Sequence, residues 1–209
     1  MFSFCRNLEA LDVTGFDTRN VKDMNNMFGG CETITSLDVS GFKTDNVTSM
    51  GAMFNGCKQF RSLDVSNFST EKVTNLSYMF SDCKELTQLD LRNFNTDASL
   101  YFSGMFNDCI KLESLDISSF RTDKATTMSY MFYNCKKLNS LDISRFRTPL
   151  VKSMDFMFAN CGAEVLDLSG FDFSNLENGR EMFHNCFNVR ELAIENMISP
   201  KLKSCYYMF

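Results

Sequence analysis

The chain has 209 residues, of which 22% are charged, and its formal net charge is −5. This acidic balance argues against general binding to nucleic-acid backbone or anionic lipid. No run approaches the roughly 18 consecutive apolar residues of a membrane helix, so we expect no membrane insertion. The first residues, Met1 to Cys5, also lack the basic start and apolar run of a signal peptide, which leaves a cytoplasmic location open.

A unit of 26 residues recurs along the chain. It aligns on a leucine that we use to number the repeats from one to eight: Leu11, Leu37, Leu63, Leu89, Leu115, Leu141, Leu166 and Leu192. An aliphatic residue follows two positions later, as Val13 does after Leu11, and another apolar residue stands three positions before, as Leu8 does. Apolar residues at alternate positions predict a short strand of about four residues with one buried face.

The second half of each repeat has a different spacing. Val21, Met24, Phe28 and Cys31 are separated by three, four and three residues, which is typical of one face of a helix. A threonine before this segment, such as Thr18, is placed to cap the helix N-terminus. The residue before the cysteine is Gly, Asp or Asn, the types that adopt the left-handed conformation at a helix end.

Together these patterns predict an α/β solenoid. Residues 1–209 form a single repeat domain of about eight strand–helix repeats, with a parallel sheet on one face and short helices on the other. We see no linker and no polar capping repeat, so the chain resembles a segment of a longer array. Core residues near both termini, including Phe4 and Phe209, should then be exposed and favour end-to-end self-association.

The cysteines follow the same period, with the thiol returning once per repeat. They stand at Cys5, Cys31, Cys57, Cys83, Cys109, Cys135, Cys161 and Cys186, with Cys205 outside the column. We predict that the column is reduced and buried, as small apolar side chains are. Paired disulfides are the alternative. The chain has no Cys-x-x-Cys pair, so no zinc site of that type is expected.

The unit from Leu37 to Cys57, Leu-Asp-Val-Ser-Gly-Phe-Lys-Thr-Asp-Asn-Val-Thr-Ser-Met-Gly-Ala-Met-Phe-Asn-Gly-Cys, resembles the repeats of BspA-type leucine-rich-repeat surface proteins of bacteria. The resemblance extends over the whole chain. It implies a leucine-rich-repeat-like right-handed coil and a cell-surface or extracellular location. It also implies adhesion or binding to a host or matrix protein. No partner-binding residue is shared among such proteins, so none is carried over.

The strongest candidate site is a column of aspartates, one in each predicted strand: Asp12, Asp38, Asp64, Asp90, Asp116, Asp142 and Asp167. Their neighbours are predicted to be buried, so these carboxylates should face outward and repel one another. Nearby hydroxyls, a cation or a basic ligand could offset the repulsion. Two hypotheses stay open. The column is an acidic stripe that binds a partner, or each aspartate bonds the backbone of its own turn.

No catalytic, cofactor or metal motif accompanies the repeats. His184 is the single histidine, and there is no Gly-rich phosphate loop, Gly-x-Ser-x-Gly or His-Glu-x-x-His. We therefore expect a non-catalytic protein-binding or adhesion module that presents its strand face. A passive spacer or stalk is the alternative, and an intracellular scaffold is a third hypothesis. An ice-binding threonine ladder is weaker, because one threonine recurs per repeat.

The seventh repeat breaks the pattern. It lacks one residue near Gly162, Phe173 replaces the threonine, and Gly179 replaces the methionine equivalent to Met24. Because each repeat contacts only its neighbours, residues 162–185 should open before the middle of the array.

Overall fold

The computed structural model describes residues 1–195 and 197–209. Seven parallel bridges in this part of the chain link each repeat to the next at one equivalent residue. The bridged residues are Asp23, Ser49, Asn75, Tyr101, Thr127, Ser153, Asn178 and Ser204. They are 26 residues apart, except for one step of 25 into the seventh repeat. The continuous connection between repeats is therefore this bridge ladder.

The bridge ladder lies in the segment predicted to be helical, and that prediction is wrong. None of the described residues is helical. The Met27 N–H donates to the Met24 carbonyl oxygen at 3.1 Å, which closes a turn shorter than an α-helical one. The Asn26 N–H instead donates to Gly51 of the next repeat at 2.9 Å. Alternate N–H groups thus bond within the turn and across to the neighbour, which leaves too few for a helix.

Left-handed residues produce these turns. The left-handed conformation predicted before seven of the cysteines is confirmed, at Gly30, Gly56, Asp82, Asp108, Asn134, Asn160 and Asn185, and Phe4, before Cys5, shares it. A second left-handed position was not predicted, and it holds Asn26, Ala52, Tyr78, Gly104, Tyr130, Phe156, Glu181 and Tyr207. Two such residues per repeat break the regular helical dihedrals and form a run of turns.

Four of the eight predicted strands are present in the part of the chain that the structure describes, and they are shorter than expected. β1 (Gln88–Asp90) pairs in parallel with β2 (Ser114–Asp116), and β3 (Val165–Asp167) pairs with β4 (Glu191–Ala193). Each has three residues. A turn follows β1, β2 and β3 and uses main-chain N–H groups that a longer ladder would need. After β1, for example, the Phe94 N–H donates to the Leu91 carbonyl at 2.9 Å.

The predicted apolar columns form the core. Val39, Met50 and Phe54, for example, are buried, and so are their equivalents in the middle repeats. One column is a ladder of stacked rings with neighbouring centroids 5.4–6.0 Å apart. Its members are Phe2, Phe28, Phe54, Phe80, Phe106, Phe132, Phe158, Phe183 and Phe209.

The threonine column does not cap helices, contrary to our prediction. Its side chains are buried and hydrogen bond to the next repeat. The Thr44 hydroxyl donates to the Ser69 carbonyl at 2.9 Å and accepts the Ser69 N–H at 2.7 Å. The same reciprocal pair recurs at Thr18, Thr70, Thr96, Thr122 and Thr148. Burial also removes the surface that ice binding would need.

Candidate functional site

The seven aspartates of the predicted column lie at one position of the strand segments. The side chains of Asp12, Asp38, Asp64, Asp90 and Asp142 are exposed, and those of Asp116 and Asp167 are partly exposed. The flanking aliphatic residues, such as Val39 and Val65, are buried. The outward orientation that alternation predicted is therefore found, and we call this surface the strand face.

Each aspartate of the column also bonds to its own turn. In all seven repeats a carboxylate oxygen accepts the main-chain N–H of the residue two positions later, at 2.9–3.0 Å. The hydroxyls of Thr14, Ser118 and Ser144 donate to the same oxygen at 2.7 Å. These bonds offset part of the repulsion between neighbouring carboxylates and hold the turn after the strand.

Hydrogen bonding keeps the carboxylates ionised. The hydroxyl and then the N–H of the residue two positions later lower the pKa of Asp12, Asp38, Asp64, Asp142 and Asp167. Neighbouring carboxylates act in the opposite direction, because Asp12 raises the pKa of Asp38 and Asp38 raises that of Asp64. The strand face is therefore negatively charged at neutral pH.

Arg92 interrupts the column with a positive charge. It occupies the position of Ser66 and Ser118 in the adjacent repeats. Its guanidinium lies 2.6 Å from an Asp90 oxygen and 3.5 Å from an Asp116 oxygen. The hydrogen bonds from the Arg92 side chain, and then from its N–H, lower the pKa of Asp90 to about 2. The geometry shows that two neighbouring aspartates of the column can contact one guanidinium.

Two open grooves lie on the strand face. The larger has a volume of about 900 Å³ and spans the third to fifth repeats, with Ser62, Asp64, Gln88, Asp90, Ser114 and Asp116 among its lining residues. The smaller, of about 410 Å³, includes Asp142 and Asp167. The larger groove follows a gap in strand pairing, because β1 pairs with β2 but the Leu63–Val65 segment is not part of a strand.

Sequence reasoning missed two side chains beside this groove. One is Arg92, which breaks a serine column and could have been found as an outlier. The other is Asn93, whose amide donates to the carbonyls of Val65, Ser66 and Phe68 at 3.0, 3.2 and 3.1 Å. Asn67 makes the same three bonds to the second repeat. Gly15 and Gly41 hold this position in the first two repeats, so the column is too variable to signal a role.

The cysteine column lies mostly within the core. Cys31, Cys57, Cys83, Cys109, Cys135 and Cys161 are buried as predicted. The prediction is wrong for the two ends of the column, because Cys5 is exposed and Cys186 is only partly buried, and Cys205, outside the column, is exposed. Most of these thiols face a phenylalanine carbonyl of the preceding repeat, as Cys109 does toward Phe80 at 3.1 Å. Burial raises the pKa of Cys109 to about 12.

Residues 1–195 and 197–209 contain no group of three or more His, Cys, Asp or Glu side chains arranged to hold a metal ion. The same residues contain no helix long and apolar enough to cross a membrane.

A family model matches most of the chain. Its description is "Mycoplasma protein of unknown function, DUF285", and it matches residues 1–114 and again 87–197. The two overlapping matches are consistent with a repeated unit. No curated protein matches the chain.

One solved structure is similar, a leucine-rich repeat protein from Bacteroides ovatus. The sequence identity is 17%, and the TM-score is 0.35. The match covers 94% of this chain and 57% of that chain, so this chain spans little more than half of that protein's length.

Proposed function

This chain belongs to the DUF285 family, and we propose that it is a non-catalytic module that binds a protein partner through its strand face. The groove over the third to fifth repeats carries this proposal. It is about 900 Å³ in volume and brings main-chain segments of three repeats to one surface. Concave surfaces built from several repeats are the usual binding surfaces of repeat proteins.

The groove favours a partner segment with basic side chains. Asp64, Asp90 and Asp116 line it, and a single arginine of the chain lies on two of them. Arginine and carboxylate form paired, charge-assisted hydrogen bonds, so a partner arginine could bind Asp64 or replace Arg92 on Asp116. Steering by the net charge of −5 would add to the association rate.

More specifically, we propose that the chain is a BspA-type adhesion module. It would be a right-handed leucine-rich-repeat-like solenoid, displayed at the cell surface, that binds a host or matrix protein. The 26-residue period and the bridge ladder through all eight repeats support the solenoid. The groove and the acidic strand face support binding. Location and partner identity depend on the resemblance alone.

A second function, a passive spacer, has its own supporting observation. Every aspartate of the column accepts an N–H from its own turn. This bond gives the column a structural role that needs no ligand. Partner binding would require the negative charge of the aspartates. The spacer function would require only their oxygen atoms, as acceptors for the turn N–H groups.

Asparagine substitutions separate the two functions. In a triple variant with Asp64→Asn, Asp90→Asn and Asp116→Asn, each residue keeps an oxygen for the turn N–H and loses its charge. We expect the wild-type chain to bind an arginine-rich decapeptide in calorimetry, more weakly at high salt, and the triple variant to lose that binding. The matched control carries Asp45→Asn, Asp97→Asn and Asp123→Asn, which remove the same charge from exposed residues outside the groove. The binding function is contradicted if the peptide does not bind, or binds both triple variants equally.

A further inference from the structure

All six tyrosines of the chain lie along one edge of the repeats, on or just after the bridge ladder. They are Tyr78, Tyr101, Tyr130, Tyr133, Tyr206 and Tyr207. Tyr101 is itself a bridged residue, and Tyr78 and Tyr130 occupy the second left-handed position of their turns. We call the part formed by Tyr78, Tyr101, Tyr130 and Tyr133 the tyrosine edge. It is separate from the strand face.

Rings pack together at one end of this edge. The Tyr130 and Phe156 rings are stacked, with centroids 4.9 Å apart, and Tyr133 packs edge-on against Tyr130 at 5.7 Å. The Tyr78 ring covers Gly104 of the next repeat, where an added Cβ would overlap it. Glycine at this position therefore makes room for the ring. Tyr78 and Tyr101 remain 39% and 44% exposed.

Large rings at the left-handed position carry a conformational cost. Tyr78 and Tyr130 have φ values of 57° and 62°, a conformation that is unfavourable for bulky residues by about 1–3 kcal/mol. Asn26 and Ala52 hold the same position with smaller side chains. Stacking offsets some of the cost at Tyr130, but Tyr78 is partly open to solvent.

The segments of the third to fifth repeats that carry the tyrosine edge are polar but uncharged, whereas Asp155, Arg180 and Glu181 of the next two repeats lie near Tyr130. Residues 73–81, 99–107 and 125–134 contain no Asp, Glu, Lys or Arg, although 22% of the chain is charged. Hydroxyl groups are abundant there instead. The Ser103 and Thr127 hydroxyls are 2.8 Å apart, and those of Ser129 and Ser153 are 2.7 Å apart. Around Tyr78 and Tyr101, a matching ligand needs flat apolar faces and many hydroxyls, and no charge.

We propose that the tyrosine edge of the third to fifth repeats binds a neutral oligosaccharide. The C–H face of a sugar ring would pack on the exposed rings of Tyr78 and Tyr101, while its hydroxyls would bond to Ser103, Thr127 and Ser129. The absence of charged residues from these segments disfavours sulfated or sialylated sugars, which need cationic partners. It also disfavours single-stranded nucleic acid, for which stacking rings accompany a basic groove.

The tyrosines provide the readout. The chain has no tryptophan, so its intrinsic fluorescence comes from the six tyrosines. The full chain would be titrated with cellohexaose, maltohexaose and chitohexaose, and with a heparin hexasaccharide as the charged arm, in parallel with calorimetry. We expect at least one neutral hexasaccharide to bind saturably and the heparin hexasaccharide not to bind. No binding by any neutral hexasaccharide, or tighter binding of the heparin one, overturns the proposal.

Matched variants test where the sugar binds. Tyr101→Ala should weaken binding by about tenfold. Gly104→Ala should also weaken it, because the new methyl displaces the Tyr78 ring while Ala52 shows that the turn accepts alanine. Phe187→Ala is the control, since Phe187 is 87% exposed and lies outside the tyrosine edge. Unchanged affinity in the Tyr101 and Gly104 variants would place the sugar elsewhere and refute the assignment. The Asp64, Asp90 and Asp116 triple variant should bind the sugar normally, so this proposal and the strand-face function fail independently.

Discussion

The Thr96 hydroxyl joins two repeats, because it donates to the Arg121 carbonyl oxygen at 2.7 Å and accepts the Arg121 N–H at 2.8 Å. Thr96 is 1% exposed, so water does not compete for these bonds. The same arrangement recurs between most consecutive repeats. A single buried hydroxyl thus satisfies both main-chain groups of a residue in the neighbouring repeat.

Thr96→Val should therefore destabilise the chain, although valine and threonine are nearly equal in size. Both main-chain groups of Arg121 would lose their partner, at a cost of about 2–3 kcal/mol in the free energy of unfolding. Urea denaturation measures this change. Thr96→Ser should retain most of the stability. Thr48→Val is the matched control, because Thr48 is exposed, and it should cost less than about 0.5 kcal/mol. Equal losses at Thr96 and Thr48 would show that the hydroxyl bridge is unimportant.

The cysteine column should make the fold sensitive to alkaline pH. Burial raises the pKa of Cys109 to about 12 and that of Cys161 to about 11, whereas a thiol in the unfolded chain titrates near 8.5. Stability from the protonated thiols is therefore complete below about pH 8.5 and is lost as pH rises toward 11–12. We expect the free energy of unfolding to fall between pH 8 and pH 10.

Single cysteine variants assign this pH dependence. Cys109→Ala should reduce its slope by up to about 1.4 kcal/mol per pH unit, the contribution of one proton. Cys5→Ala should leave the slope unchanged, because Cys5 is exposed. Denaturation at several pH values under reducing conditions measures both. A slope that is identical in the wild type and the Cys109 variant would contradict the assignment.

The core could be predicted from sequence because burial depends on position within the repeat. Any arrangement that places equivalent residues side by side turns a column such as Phe28, Phe54 and Phe80 into a buried ladder, whatever the backbone conformation. The left-handed position before the cysteine was also predictable from the second cysteine of the column onward, because Gly, Asp or Asn occurs at Gly30 and at the positions that follow it in the column, whereas Phe4, before Cys5, gave no such signal.

The helices could not be predicted correctly because spacing alone does not distinguish a helix from successive turns. Met24, Phe28 and Cys31 are buried in both cases. The deciding interaction is between repeats: the Phe28 N–H donates to the Met53 carbonyl at 2.9 Å, which a helix would not allow. The second left-handed position gave no signal, because bulky residues such as Tyr78 and Phe156 occur there.

The strand-face site was predictable as a column but not as a groove. Alternation placed Asp64 and Asp90 outward, as found. The groove lies where strand pairing lapses between the Leu63–Val65 segment and β1, and the apolar pattern is the same there as in the paired repeats. The sequence therefore did not show where the groove would form.

This 209-residue chain should associate end to end at high concentration. The Phe209 ring ends the ladder, stacks on Phe183 at 5.4 Å and is 72% exposed; at the other end Phe4, two residues after the first ladder ring Phe2, is 68% exposed. The open faces of the ring ladder can bury further apolar surface against a second copy. Phe209→Ser should reduce the apparent mass measured by light scattering at high concentration. Phe187→Ser, which changes an exposed ring outside the ladder, should not. A wild-type chain that stays monomeric at every concentration would contradict this prediction.

The seventh repeat should open before the middle of the chain. The structure indicates a smaller difference in local stability between them than the sequence alone suggests. Phe173 has no hydroxyl to bond the eighth repeat, and it packs on Phe171 at 6.0 Å instead. The space beside Gly179 is filled by the Met208 methyl group, which an added Cβ would overlap. The loss is then the missing hydroxyl bridge, about 1–3 kcal/mol, rather than a cavity.

Hydrogen exchange can locate this opening. The Gly179, Glu181 and Phe183 N–H groups donate to the eighth repeat, as their equivalents at Met50, Ala52 and Phe54 donate to the third. We expect the first set to exchange faster than the second, by about tenfold or more, since local opening requires the release of only one neighbouring repeat. Met208→Ala should accelerate the first set further by emptying the space beside Gly179. Met1→Ala, at a residue that is 83% exposed, is the control. Equal protection of the two sets would show that the threonine bridge is not what holds consecutive repeats together.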